Sequence, residues 1–194
     1  MPQTTHLALK ACLSLEEAAQ QMGYTRSQLI WTEQVVFDPR TLIKCQQNTC
    51  THYGQNFMCP PNLPRFEQYL EMNRQFRIAL LIQQETTLTA GLSSEEIDQQ
   101  FKALSTANLK NVVKLEETAF RLGFLFAQSL AGGACKLCSP CKARLGEKNC
   151  CQPQNARPSM EAIGIDVTST CERAGFPADF KPTRLLVTGM IYIV

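Results

Sequence analysis

The chain has 194 residues, 44% of them hydrophobic and 19% charged, and its 19 Lys and Arg stand against 17 Asp and Glu for a formal net charge of +2. That apolar content builds a core, which excludes a wholly disordered chain, and the near-neutral balance lacks the basic excess of a dedicated nucleic-acid binder. The length suits one domain, 1–194.

In SLEEAAQQMG, Ser14 with Glu17 three residues on, and Gly23 at the far end, predict a short capped helix. LIWTEQVVF is rich in β-branched and aromatic residues and predicts a strand ending at Asp38-Pro39. Residues 45–64 hold three Cys and three Pro with little periodicity and predict a loop. Pro64 then opens a helix over RFEQYLEMNRQF, because a first-turn residue loses nothing by lacking an N–H. IALLIQQ predicts a buried strand.

Ser93 and Glu96 form a second capping box before EEIDQQFKAL, and a longer helix is expected from about Asn108 to Ala131. Its apolar stripe runs through Leu109, Val112, Leu115, Ala119, Phe120, Phe124, Ala127 and Ala131, and it ends at Gly132-Gly133, where a second cysteine-rich loop, 132–157, begins. RPSMEAIG predicts a short helix, Asp166 caps another that Gly175 ends, and RLLVTGMIYIV is the strongest strand. The most apolar helix, FRLGFLFAQSLA, is broken by Arg121, Gln128 and Ser129, so no membrane span is expected. The pattern predicts an α+β fold: a small sheet of three or four strands packed with helices, with cysteine-rich, ferredoxin-like metal-binding loops at one end.

Ten cysteines are the outlying number. The chain opens MPQTTHLALK, without a basic then apolar leader, so the expected compartment is a reducing cytoplasm, where clustered thiols serve metals or redox chemistry more often than disulfides. Cys135, Cys138 and Cys141 place three thiolates within seven residues, with Cys150 and Cys151 beyond. A [4Fe-4S] cluster needs four thiolates, and Cys-x2-Cys-x2-Cys lets one loop supply three while a remote Cys supplies the fourth. Structural zinc sites more naturally use two separated Cys-x2-Cys knuckles, so zinc is the alternative cofactor. Cys45, Cys50 and Cys59 form a sparser group for a second metal centre, with Cys171, Cys151, His52 or no residue as the fourth ligand.

Three segments together resemble a known family. They run from Lys44-Cys45 through Tyr53-Gly54 to Cys59-Pro60-Pro61, over Gly132-Gly133-Ala134-Cys135-Lys136-Leu137-Cys138, and from Cys150 to Ala156-Arg157-Pro158-Ser159-Met160-Glu161-Ala162-Ile163-Gly164-Ile165-Asp166. From about residue 30 to 194 the chain is similar to the domain of unknown function 2284 family, described as predicted metal-binding proteins. The resemblance implies metal binding at Cys45, Cys50, Cys59, Cys135, Cys138, Cys141 and Cys150. Cys12, Cys151 and Cys171 fall outside the pattern, and the family label implies no defined reaction.

Plainer readings stand beside these. Cys12 and Cys171 suit the core, and Cys138-Ser-Pro-Cys141 has a third neighbouring Cys that thioredoxin-like pairs lack. Lys136, Lys142, Arg144 and Lys148 read either as a solvated loop or as cations that offset cluster charge and meet an acidic redox partner protein. Arg157 and Glu161 read as braces of a short helix or as substrate groups. No P-loop, Gly-x-Gly-x-x-Gly, His-Glu-x-x-His or Gly-x-Ser-x-Gly is present, so nucleotide binding and serine hydrolysis lack support. The functional expectation is an iron–sulfur protein with an electron-transfer or redox-accessory role; the alternative is a structural zinc-binding interaction module.

Overall fold

The computed structural model describes residues 2–47, 50–179 and 181–194. Four strands, β1 (Arg26–Trp31), β2 (Ile78–Thr87), β3 (Gln128–Leu130) and β4 (Arg184–Tyr192), form one antiparallel sheet in the order β1-β2-β4-β3. Five α-helices accompany it among the described residues: α1 (Pro2–Gln21), α2 (Arg40–Gln46), α3 (Phe66–Gln75), α4 (Ser94–Arg121) and α5 (Val167–Arg173). The α+β expectation holds, and the sheet's four strands fall within the three or four expected.

Both faces of the sheet are covered. In β2, Ala79, Leu80, Leu81 and Ile82 are all fully buried, which explains why IALLIQQ reads as a continuous apolar run rather than an alternation. Leu80 and Ile82 join a cluster with Cys12, Leu15 and Ala19 of α1 and Leu109, Val112, Leu115 and Ala119 of α4. Ala79 and Leu81 join the opposite cluster with Tyr69 of α3, Met160, Ile163, Ile165 and Cys171 of α5. Period-two alternation in the strands thus divides the core into two layers of side chains, one on each face.

The strand expected through LIWTEQVVF to Asp38-Pro39 ends at Trp31, where Thr32–Gln34 wind into a 3-10 turn, and several helix readings are corrected as well. Ser14 does not cap a helix; it lies inside α1, because the buried series Cys12, Leu15, Ala19 begins before it and packing on the sheet carries the helix through. Residues 94–121 form one helix, where two were expected. Ser105 and Thr106 return their hydroxyls to the carbonyls of Phe101 and Lys102, and the buried series Leu109, Val112, Leu115 and Ala119 packs the helix on the sheet beyond them. It stops at Gly123, with φ +98°, and not at Gly132-Gly133. The Gly123 N–H bonds the Phe120 carbonyl and the Phe124 N–H bonds the Ala119 carbonyl, closing the terminus with a left-handed glycine. Gln128–Leu130 then pairs with β4 as edge strand β3. Phe120, assigned to the apolar stripe, is 60% exposed.

Two caps were legible in sequence. The Ser93 hydroxyl accepts from the Glu96 N–H while the Glu96 carboxylate accepts from the Ser93 N–H at 2.8 Å, and the Asp166 carboxylate accepts from the Ser169 N–H at 3.1 Å. RPSMEAIG forms a single short 3-10 turn, Glu161–Ile163, instead of an α-helix.

The segment from Pro158 to Asp166 is strapped between two neighbours. The Ala131 N–H bonds the Pro158 carbonyl and the Met160 N–H bonds the Ala131 carbonyl, while the Asp38 N–H bonds the Gly164 carbonyl and the Asp166 N–H bonds the Val36 carbonyl. The Arg157 guanidinium fixes the start of that segment to α4 by a two-pronged pair with Glu116, with N···O distances of 2.5 and 3.0 Å. This strapping holds Glu161 against the cysteine-bearing loops. Among the described residues, no helix is long and apolar enough to cross a membrane.

Candidate metal centre

The first cysteine segment, expected to be loop from residue 45, begins inside a helix. Cys45 lies in the last turn of α2, and Cys50 and Cys59 follow in a succession of turns. The Gly54 N–H bonds the Pro60 carbonyl and the Cys59 N–H bonds the Asn56 carbonyl, folding this stretch back on itself. The second segment follows β3 directly, and its Cys141 precedes a 3-10 turn over Lys142–Leu145.

The two segments meet. The buried Asn56 side chain donates to the Cys135 carbonyl at 2.8 Å and accepts the Met58 N–H at 2.9 Å, and the Arg144 guanidinium reaches the Thr51 carbonyl at 3.4 Å. Cys135, Cys138, Cys141 and Cys150 border one small cavity together with Asn56 and Gln152. The Gln152 side-chain amide lies 3.6 Å from the Cys138 sulfur and donates to the Leu137 carbonyl at 3.1 Å, while its main-chain N–H points at the Cys150 sulfur at 3.4 Å. Cys45 and Cys50 line a separate, larger cleft. Cys59 sits between the groups, within electrostatic reach of Cys50, Cys45, Cys135 and Cys141. Among the described residues, no three His, Cys, Asp or Glu side chains converge into a ready set of metal ligands. The thiols are neighbours around shared spaces, not a closed coordination sphere.

Their electrostatics oppose bare thiolates. Burial, followed by the neighbouring thiols Cys50, Cys45, Cys135 and Cys141, pushes Cys59 up to about 12. Burial, then Cys50 and Glu161, raises Cys45; burial also raises Cys135, with Cys150, Cys141 and Cys138 adding to it. These groups stay protonated at neutral pH in the absence of a cation, and a soft metal is the kind of charge that reverses that preference. The donor set is chemically suited to thiophilic metals, with seven sulfurs and few carboxylates.

The residues outside this set separate clearly. Cys12 is 1% exposed, in the core beneath α1, as its place in the sequence suggested. Cys171 is equally buried in the opposite layer, and it also lines the cleft that Cys45 and Cys50 border. The exposed Cys151 places its sulfur 3.0 Å from that of Cys138, which ties it to the second segment. His52 borders a groove with Cys135, Cys138 and Cys141, and burial together with Lys136 and Arg144 lowers its pKa.

Of the loop cations, Lys142 pairs with Glu147 at 2.8 Å. Lys136 donates to the Ala134 carbonyl and stands 5.3 Å above the Phe101 ring, and burial lowers its pKa. Sequence reasoning missed Asn56 and Gln152. Asn56 lies between Cys50 and Cys59 and Gln152 directly after Cys151, so their positions beside the thiols were the available signal.

The chain belongs to the predicted metal-binding protein family DUF2284, which matches residues 28–193. No curated protein and no solved structure matches it.

Proposed function

We propose that this member of the predicted metal-binding family is a cytoplasmic iron–sulfur protein with an electron-transfer or redox-accessory role. In this reading Cys135, Cys138, Cys141 and Cys150 hold one [4Fe-4S] cluster, Cys45, Cys50 and Cys59 hold a second metal centre, and the chain works as a single metal-binding domain. The observation that carries the reading is that the four thiols of the x2, x2, x8 spacing border one cavity, although eight residues separate Cys150 from Cys141 in the chain. Four thiolates from one loop and one remote position match the ligand number of a cubane cluster.

When bound, such a cluster supplies a one-electron carrier. The chain's own contribution is the setting. Gln152 presents two N–H groups toward the Cys138 and Cys150 sulfurs, and donors to ligand sulfur stabilise the reduced, more negative state and raise the potential. Lys136 and Arg144 add positive charge on the groove that Cys138 and Cys141 share with solvent, which suits an acidic redox partner protein.

The test is metal analysis of protein made and purified without oxygen in iron-replete cells. The expected result is iron with acid-labile sulfide and broad visible absorbance. Stoichiometric zinc without sulfide would overturn the reading in favour of a structural zinc module.

A further inference from the structure

A cleft of about 440 Å3 opens between α2, the turn at Glu161, the start of α5 and β4, a volume in the range that encloses small organic molecules. Its walls are mainly apolar, built from Ile165, Val167, Leu186 and Val187, and Cys45 and Cys50 stand at one side. Electron transfer needs no enclosed space of this size.

The polar groups of the cleft differ in what they have left to bind. Gln83 is spent on the Pro177 carbonyl at 2.8 Å and the Thr188 hydroxyl at 3.2 Å. Asp166 is spent on the Ser169 N–H and hydroxyl. Glu161 forms no ion pair with any described Lys, Arg or His. Glu161 lines the cleft and is solvent-accessible, with the Ser159 side chain as its hydrogen-bond neighbour. The nearest interior cation, Lys136, is held by the Ala134 carbonyl and the Phe101 ring, and Lys44 is exposed on α2 at the rim. Two carboxyl groups against one rim lysine bias the lining toward positive charge.

We propose that this cleft binds a small primary amine with an apolar body, the ammonium group pairing with the Glu161 carboxylate and the body lying against Ile165, Val167, Leu186 and Val187. A carboxylate in a confined site that lacks a cation of its own gains a charge-assisted hydrogen bond on taking one up. Apolar contact then supplies the remainder of the affinity. The inference goes beyond the iron–sulfur reading and does not require it, although the ligand lies beside Cys45 and Cys50.

The test is calorimetric titration of the full-length protein with n-hexylamine, n-hexanol and hexanoate, with iron, zinc and sulfide measured on the same sample. Hexylamine is expected to bind at least about tenfold more tightly than hexanol, and hexanoate more weakly than either. Glu161→Gln should erase the preference for the amine while leaving hexanol binding as it was. Val167→Trp, at the start of α5 on the cleft wall, should weaken amine and alcohol together, and it provides a second reading if Glu161→Gln does not fold. Hexanol or hexanoate binding as tightly as hexylamine, an amine preference that persists in Glu161→Gln, or undiminished binding in Val167→Trp would overturn the proposal. Amine binding in a sample that holds zinc and no sulfide would sink the iron–sulfur reading and leave the amine site standing.

Discussion

The Asn56 side-chain amide donates to the Cys135 carbonyl at 2.8 Å, joining two cysteine segments that lie 79 residues apart in the chain. The same side chain accepts the Met58 N–H, so one buried amide organises both segments. Asn56→Ala leaves a carbonyl and an N–H without partners, at a cost of about 1–3 kcal/mol. The expected outcome is a lower urea midpoint together with reduced metal content. A variant that keeps full metal content and stability would show that the segments are held together by other contacts.

The ligand assignment predicts a contrast between cysteines. Cys138→Ala should abolish metal binding at the second segment, whereas Cys12→Ala, in the core beneath α1, should leave metal content unchanged and lower stability slightly. Metal quantitation and thermal melting on the two variants check it; equal loss of metal in both would refute the division.

Metal removal should act locally. The two core layers are built from α1, α4 and the sheet on one side and α3, α5 and the sheet on the other, and neither relies on the seven matched thiols for its bulk. The cysteine segments have few apolar anchors of their own, so ligand bonds must oppose their chain entropy. Chelation is expected to leave the helical circular dichroism largely intact while proteolysis within 45–64 and 132–157 accelerates. Global unfolding on chelation would contradict this.

Glu116 supplies a pH prediction. Desolvation pushes its pKa up, but hydrogen bonds from Arg157 and Ser129 outweigh that and hold it below the usual glutamate value. A carboxyl whose folded pKa is lowered adds stability above its unfolded pKa of about 4.3 and loses it as pH falls through the folded value. Glu116→Gln is therefore expected to cost about 1–3 kcal/mol at neutral pH, with the gap to the parent protein closing as pH drops below about 4. Urea titrations across that range check it, and a gap independent of pH would contradict it.

Gly132 tests how tightly the second segment is joined to the sheet. A Cβ there would lie 2.7 Å from the Thr188 carbonyl oxygen and collide with Val187, both on β4. Backbone of a paired strand cannot retreat cheaply, so Gly132→Ala is expected to destabilise the fold by about 2–4 kcal/mol. Denaturant unfolding measures the effect, and a change within about 0.5 kcal/mol would show that β4 yields.

Features that depend on neighbours a few residues apart were legible in the sequence. The caps at Ser93 and Asp166, the buried strand IALLIQQ, the terminal strand and the cysteine spacings each express a local interaction or a short periodicity. Local signals also misled where packing prevailed over them. Ser14 carries a capping pattern yet lies within α1, and Ala127 and Ala131 continue the spacing of the α4 stripe although the chain has already turned at Gly123 into a strand. Only the tertiary structure decided that Arg157 clamps Glu116 across 41 residues, that Cys59 stands between the two thiol groups, and that Glu161 opens into an apolar cleft beside Cys45. Such relationships come from how the two layers close on the sheet, and contacts between distant segments leave no periodic trace in either segment alone.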